Sequence, residues 1–448
     1  MSRVKGIKIG ISGVRGIVGE TLSTDNIINL SRAFATLIGG GKIAIGTDSR
    51  VSGEFVKSAV ISGLLFSKIT PVDLGVVSTP TLEIYIKEKK LSGGIIITAS
   101  HNLEDWNGLK FVSGKGIFLS PFKILNLVDI YHQRGYIIPN TNEFPYILDG
   151  KEPFSIHTEK INKILDKVLI RKKKFNVLMD TGGGVGSFFS EKFLKSFNCN
   201  VTMINNDVGE NFCRPPEPIP ENLTDCSKAM KKGNFDIGFA QDPDGDRLAI
   251  IDETGSVLSG DLTLAILLYS YLLNKKPGTI VVNLSTSRLI EFIANMLKMK
   301  VLKSPVGEIN VVEMMKSSDA IAGGEGNGGI IIPEVHYCRD SFTGMGLILD
   351  TMAKTGKKVS EIIKIFPKYK RVSKKIPFSM SGAQKIISVF KEEYPDGNTH
   401  DGIRVDKDDY WFHIRPSNTE PILRVVAEGK DDSILELVKE LEKKIRAI

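Results

Sequence analysis

Asp242-Pro243-Asp244-Gly245-Asp246 sets three carboxylates two residues apart in a turn held by proline and glycine. In a locally extended turn alternate side chains converge, and a cage of carboxylate oxygens suits Mg²⁺ or Ca²⁺. An EF-hand is excluded even though Glu253 stands at the twelfth position: Arg247 takes the sixth, where the sharp turn needs glycine, and the flanks read as strands. The competing reading is a solvated acidic turn; three aspartates in five residues, followed by an arginine, favour the metal. A second stretch, Thr98-Ala99-Ser100-His101-Asn102-Leu103, puts a nucleophile beside a base, and Lys110 follows on the same segment. The glycines of a serine-hydrolase elbow are absent, because Thr98 and Asn102 occupy their places. A serine that merely caps the next turn is the plain alternative.

Two further regions carry polar groups without naming their ligand. Arg415-Pro416-Ser417-Asn418-Thr419 offers a guanidinium, two hydroxyls, an amide and successive backbone N–H groups, with Arg424 close behind. These are the donors a phosphate takes, although a polar hairpin turn has the same composition. In the glycine run Gly323 to Gly329, Glu325 and Asn327 are the groups able to hold sugar hydroxyls. The N-terminal run Gly10 to Gly16 holds Arg15, a candidate phosphate partner.

Such loops need strands to carry them. Lys42 to Ile45 runs into Gly46 to Arg50, Asn176 to Met179 into Asp180 to Gly184, and Thr279 to Val282 into Asn283 to Ser287. A helical pattern follows each, clearest from Ser52 to Lys68 with Ser52 as N-cap. Each unit then supplies a second strand, and these end at Thr98, Gln241 and Gly323, the starts of the loaded loops. The alternation predicts α/β domains with mostly parallel sheets, which present ligands at strand carboxyl ends. Three similar units would thus turn three loops to one cleft. The last stretch differs: a strand–loop–strand pattern surrounds Arg415 to Pro421, and an amphipathic helix carries Ile434, Leu437, Val438, Leu441 and Ile445 on one face. That predicts a small hinged α+β domain. The expected divisions are 1–152, 153–256, 257–367 and 368–448.

Composition narrows the partners. The excess of 59 basic over 52 acidic residues is modest, and the basic clusters Arg171 to Lys174 and Lys368 to Lys375 lack interleaved aromatics. Nucleic acid is therefore not expected, whereas an anionic small molecule is compatible with the surplus. The longest apolar run, Leu262 to Leu273, is too short to span a bilayer. Four cysteines lack ligand spacing and, with no signal-peptide core after Met1, read as reduced thiols of a cytoplasmic protein.

Taken together, the loops resemble the α-D-phosphohexomutase family, whose members interconvert sugar 6-phosphates and sugar 1-phosphates. Its pattern is a TASHNP-type phosphoserine loop, a DGD metal loop, a GE-containing sugar loop and an RxSGTEP-like phosphate loop. Asn107 to Lys110, Pro216-Glu217-Pro218 and Asp401 to Val405 match as well, in the family's order and over nearly the whole chain. The chain departs at three points. Leu103 replaces proline, Asn418 replaces glycine, and the sugar loop reads Glu-Gly-Asn-Gly-Gly instead of Glu-x-Ser-Gly followed by histidine.

The resemblance implies three similar mixed α/β domains and a C-terminal α+β domain around a central cleft. It implies one Mg²⁺ held by Asp242, Asp244, Asp246 and an oxygen of phosphorylated Ser100, and a sugar 1,6-bisphosphate as intermediate and activator. Lys110 is expected as the base, its pKa depressed by Arg247 and the metal, with His101 second. Glu325 and Asn327 would bind the sugar; Arg415, Ser417, Asn418, Thr419, Arg424, Arg404 and Arg15 would bind phosphate. Glucosamine phosphate is the favoured substrate, then mannose or glucose phosphate. The other classes are a Mg²⁺-dependent phosphatase and a silent sugar-phosphate-binding protein. A monomer or homodimer is expected.

Overall fold

The first three strand–loop units repeat one sheet order. A computed structural model describes residues 8–10, 13–137, 145–378, 380–417 and 422–448. In the first unit Lys42–Thr47 lies between Thr70–Val76 and Gly93–Ile97, parallel to both, and Trp106–Ser113 returns antiparallel to Gly93–Ile97. In the second, Asn176–Asp180 lies between Asn200–Ile204 and Ile237–Gln241, and Leu248–Ile251 returns. In the third, Thr279–Asn283 lies between Lys300–Ser304 and Ala322–Glu325, and Gly329–Ile332 returns.

The sheets are mixed, as the family resemblance implied: three strands of each unit run parallel and the fourth returns antiparallel. The cause is loop length. A parallel crossover needs about a dozen residues or more, and the loaded loops are shorter, so the next strand has to turn back. Each of the three chemical loops is thus a hairpin turn at the carboxyl end of the same strand of its unit.

Alternating burial and helix packing hold these frames. Helices Thr24–Ile38 and Gly53–Phe66 cover the first sheet with Ile27, Leu30, Phe34, Val56, Val60 and Leu64. Ser52 stands at the N-cap of the second of these but makes no capping bond; its hydroxyl accepts from Asn107 Nδ2 at 2.9 Å instead. The second and third units share one core, in which Phe193 and Phe239 meet Leu264 and Phe342. Helix Gly260–Leu272 is buried nearly all round, which explains its mainly apolar sequence, broken at Asp261, Thr263 and Ser270. Among the described residues no helix is long and apolar enough to cross a membrane.

The last domain is an antiparallel sheet in the order Lys370–Pro377, Ile422–Gly429, Tyr410–Pro416, Ile403–Asp406. Its final helix, Ser433–Ala447, buries Ile434, Val438, Leu441 and Ile445 against one face. The opposite face is tied to the third unit by polar bonds. Arg404 donates to the carbonyl oxygens of Leu284 and Thr286, and Arg288 reaches back to those of Lys407, Asp408 and Tyr410. Arg404 also pairs with Asp406 at 2.9 Å and stacks on Trp411 at 4.0 Å. It is buried, and its guanidinium is taken up by bonds that join two domains.

Candidate active site

The acidic turn is a hub between three domains. Gly245 sits at φ 70°, a left-handed conformation that lets the turn fold back on itself. Asp242 Oδ1 accepts from the backbone N–H groups of Asp246 and Arg247 at 3.1 and 3.0 Å. Asp244 Oδ2 accepts from Lys110 Nζ at 2.6 Å and from Thr79 Oγ1 at 2.7 Å, both in the first domain. Asp246 Oδ2 accepts from Arg339 Nη2 at 2.6 Å, in the third. One oxygen of each of the three aspartates lies within 4.8 Å of the others, and all three side chains are buried.

This arrangement fits a hard divalent cation. Asp244 Oδ1 and Asp246 Oδ1 are buried without any hydrogen-bond partner, a costly state for carboxylate oxygens unless an ion completes them. Burial and the neighbouring Asp246 and Asp244 carboxylates hold the Asp242 pKa well above its ordinary value. Oxygen-only donors in this number suit Mg²⁺.

Ser100 occupies the facing turn. Its backbone is left-handed, φ 53°, a strained setting for a serine. The strain is held by a network the sequence reading had not assigned. Arg50 donates to the carbonyl oxygens of Ser100, Asn102, Leu103 and Trp106 at 2.7, 2.8, 2.6 and 3.0 Å. Asp48 fixes Arg50 at 3.0 Å and accepts from Thr98 Oγ1 at 2.6 Å, and Thr98 Oγ1 accepts from the Ser100 N–H at 2.9 Å. Leu103, in place of proline, contributes its carbonyl here and points an exposed side chain outward.

Ser100 Oγ lies 3.3 Å from His101 Nδ1. The Arg247 guanidinium and burial hold the His101 pKa well below the usual imidazole range. Lys110 is held by two carboxylates of the acidic turn. Burial pulls its ammonium down, but Asp244 and Asp246 outweigh burial and hold the pKa above the ordinary lysine value. The cation that opposes them is Arg15, not Arg247. Arg15 donates to Asn102 Oδ1 at 3.0 Å, on the same side of the turn. Arg247 is anchored by Glu217 at 3.0 Å, and its Nε lies 3.8 and 3.7 Å from Asp242 and Asp246.

The sugar and phosphate candidates lie on the third and fourth domains. Glu325 Oε1 accepts from Asn283 Nδ2 at 2.9 Å and from the Gly307 N–H at 3.0 Å, and its Oε2 is 3.1 Å from Arg339. Asn327 donates its backbone N–H to the Glu325 carbonyl at 2.7 Å, which curls the loop over the carboxylate. In the last sheet Arg415 stands directly opposite Arg424, and Lys375 continues the row on the next strand. These three cations form a basic row on one face of the sheet. Burial lowers the Arg415 pKa and the Asp401 carboxylate raises it; Glu325 is also near enough to act on it. The phosphate row and the sugar loop are therefore neighbours. Ser417 follows the strand that carries Arg415, while Asn418 and Thr419 lie outside the described residues.

Sequence reading missed Thr79, Asp48, Arg50, Glu217 as the anchor of Arg247, and Arg339. Of these, Asp48 and Arg50 had a visible signal, a polar loop at a strand end with the residues two apart.

Comparison with known proteins follows the same division. Four descriptions of the phosphoglucomutase/phosphomannomutase family match: alpha/beta/alpha domain I over residues 6–136, domain II over 155–255, domain III over 259–369, and the C-terminal domain over 356–445. A probable phosphoglucosamine mutase of Methanopyrus kandleri is 32% identical over 428 residues, covering 94% of each chain. A phosphoglucomutase/phosphomannomutase of Thermococcus kodakarensis is also 32% identical, again covering 94% of each. Among solved structures, a phosphoglucomutase/phosphomannomutase family protein from Burkholderia thailandensis superposes with a TM-score of 0.85 at 22% identity, covering 98% of this chain and 96% of that one.

Proposed function

We propose, from the premise that this chain belongs to the phosphoglucomutase/phosphomannomutase family and is an isomerase-class phosphohexomutase, that it interconverts glucosamine 6-phosphate and glucosamine 1-phosphate through phosphorylated Ser100. The observation that carries this reading is the meeting of a strained, buried serine with the three-aspartate turn, Ser100 Oγ to Asp242 Oδ2 at 3.4 Å. A phosphoryl group on that oxygen would enter the acidic cluster, where Asp242, Asp244 and Asp246 would hold Mg²⁺ against it. When bound, the ion supplies charge neutralisation for the transferring group.

This chain's own residues do the rest. The sugar hydroxyl attacks phosphorus, the P–Oγ bond breaks, and Ser100 leaves as an alkoxide that regains a proton. His101, 3.3 Å from Oγ, is placed to move that proton between the two oxygens. Lys110, bound to Asp244, contributes fixed positive charge, while Arg15 and Arg247 flank the path. Arg415, Ser417, Asn418, Thr419 and Arg424 would hold the phosphate that is not reacting, and Glu325 and Asn327 the ring. The sugar 1,6-bisphosphate formed then turns over and returns its other phosphate to Ser100. Water must stay out during transfer, and the burial of Ser100 serves that need.

Glucosamine is favoured by the relatives named for it; glucose or mannose phosphate is the second reading, favoured by the Thermococcus relative of equal identity. Four free cysteines support a reducing compartment, the cytoplasm. Intact mass of the purified protein is expected to show one added phosphate that disappears in Ser100→Ala. A panel of glucosamine, glucose and mannose 1-phosphates is expected to give the highest kcat/KM with glucosamine. Steady release of inorganic phosphate with no added mass would overturn the mutase in favour of a phosphatase.

A further inference from the structure

We propose that Arg339 is a positioning residue that sets the metal loop and the sugar loop against each other, so that Mg²⁺ affinity and sugar-phosphate affinity depend on one guanidinium. The inference rests on the reading above for the identity of the sugar phosphate, not for the geometry.

Arg339 ends the strand His336–Arg339. Its Nη2 donates to Asp246 Oδ2 at 2.6 Å, its Nε to Glu308 Oε2 at 2.9 Å, and its Nη1 lies 3.1 Å from Glu325 Oε2. Its backbone N–H donates to Glu308 Oε1 at 3.2 Å. The three carboxylates come from the metal turn, the start of helix Glu308–Ser317 and the sugar loop, and all are buried. A planar fork of fixed donors spans them; an ammonium would meet fewer of them at once. By holding Oδ2 of Asp246, the fork leaves Oδ1 as the oxygen without a partner. By holding Oε2 of Glu325, it fixes the other end of the same ion-pair network.

Gly329 is the second, independent observation. A Cβ at Gly329 would come within 2.8 Å of Arg339 Cγ and closer still to Cδ. The stem of Arg339 therefore runs through the space that a side chain on the sugar loop would need. Gly329 and Arg339 form a matched pair: the loop gives up its side chain, and a cation from the adjoining strand passes over it to reach the metal turn.

The test uses the full-length protein and three readouts: calorimetric Mg²⁺ titration without sugar, KM and kcat with the best hexose phosphate, and thermal melts. Arg339→Lys is expected to weaken Mg²⁺ binding by about tenfold or more, the scale seen when the outer partner of a metal ligand is lost. KM is expected to rise alongside, with kcat changing less. Gly329→Ala, which keeps the charge but displaces the fork, is expected to move both affinities in the same direction by smaller factors. If Arg339→Lys does not fold, Gly329→Ala decides alone. Wild-type Mg²⁺ affinity in a folded variant, or a change in one affinity without the other, would overturn the proposal. Wild-type protein without hexose-phosphate turnover would sink the mutase reading, while Mg²⁺ affinity still tests the hold on Asp246.

Discussion

Oγ of Ser100 stands 3.4 Å from Oδ2 of Asp242, so a strained turn of the first domain touches the acidic turn of the second. Both side chains are buried. A neutral hydroxyl can rest beside a carboxylate, but a phosphate dianion there needs a cation between them. The juxtaposition therefore ties Ser100 chemistry to metal binding.

Asp242→Asn separates charge from shape. The amide oxygen can still accept from the N–H groups of Asp246 and Arg247, and the like-charge repulsion is relieved. We expect a higher melting temperature in EDTA, Mg²⁺ binding weakened by about tenfold or more, and kcat lower by about a hundredfold. Melts with and without chelator, beside steady-state kinetics, check this. A lower melting temperature in EDTA would contradict the burial argument.

Arg50→Met removes the guanidinium from four carbonyls and releases the turn that holds Ser100. The reacting oxygen should then wander, with kcat falling by about a hundredfold and KM for the sugar phosphate changing little. A variant with normal kcat would mean that the turn keeps its shape unaided.

Arg404 and Arg415 should behave differently despite sharing a domain. Arg404→Ala leaves buried carbonyls and Asp406 without a partner, at a cost of about 3 kcal/mol, and should lower the melting temperature with little change in KM of the folded fraction. Arg415→Ala should raise KM by about tenfold or more and leave the melt nearly unchanged. The reverse pattern would make Arg404 the phosphate ligand.

Two buried histidines weaken the fold in acid, while buried carboxylates with raised pKa values act the other way. Burial lowers the pKa of His413 to about 4 and of His336 to about 3, against 6.5 for an ordinary imidazole. His413 is enclosed by Ser285 Oγ at 2.8 Å and the Asp401 carbonyl at 2.6 Å, His336 by the Gly116 carbonyl at 2.5 Å. Between pH 6.5 and these values the unfolded chain binds protons that the folded chain refuses. The contribution of each histidine is then full above pH 6.5 and falls by about 1.4 kcal/mol per pH unit as pH drops towards 4, and comparison with His413→Gln separates it from the buried carboxylates. Denaturant melts at pH 7.5 and 5 should differ accordingly, and His413→Gln should flatten the slope.

What could be read in the sequence were groups whose chemistry is local. Three aspartates in one turn, or a serine and histidine at a strand end, need no distant partner to be noticed. Arg339 and Thr79 were silent, because each matters only through a carboxylate that docking brings from another domain. The bonds of Arg404 were equally silent: its acceptors are main-chain carbonyls of Leu284 and Thr286, which carry no sequence signature. Lys110 was legible as a neighbour of the reactive turn, but its bond to Asp244 was not, because docking of two domains creates it. Strand order was half legible. The repeats announced the parallel pair in each unit, whereas the antiparallel return follows from loops too short to cross over.

That return gives the molecule a division of labour by position. One frame, used three times, sends the same hairpin tip to a common centre, and on the proposed reading each copy would be specialised: one tip for the group that is carried, one for charge, one for choosing what is carried to. Preference for a new sugar can then drift within the third tip while the other two stay as they are. In this chain Gly329 leaves room at the third tip, and the stem of Arg339, from outside the hairpin, fills it.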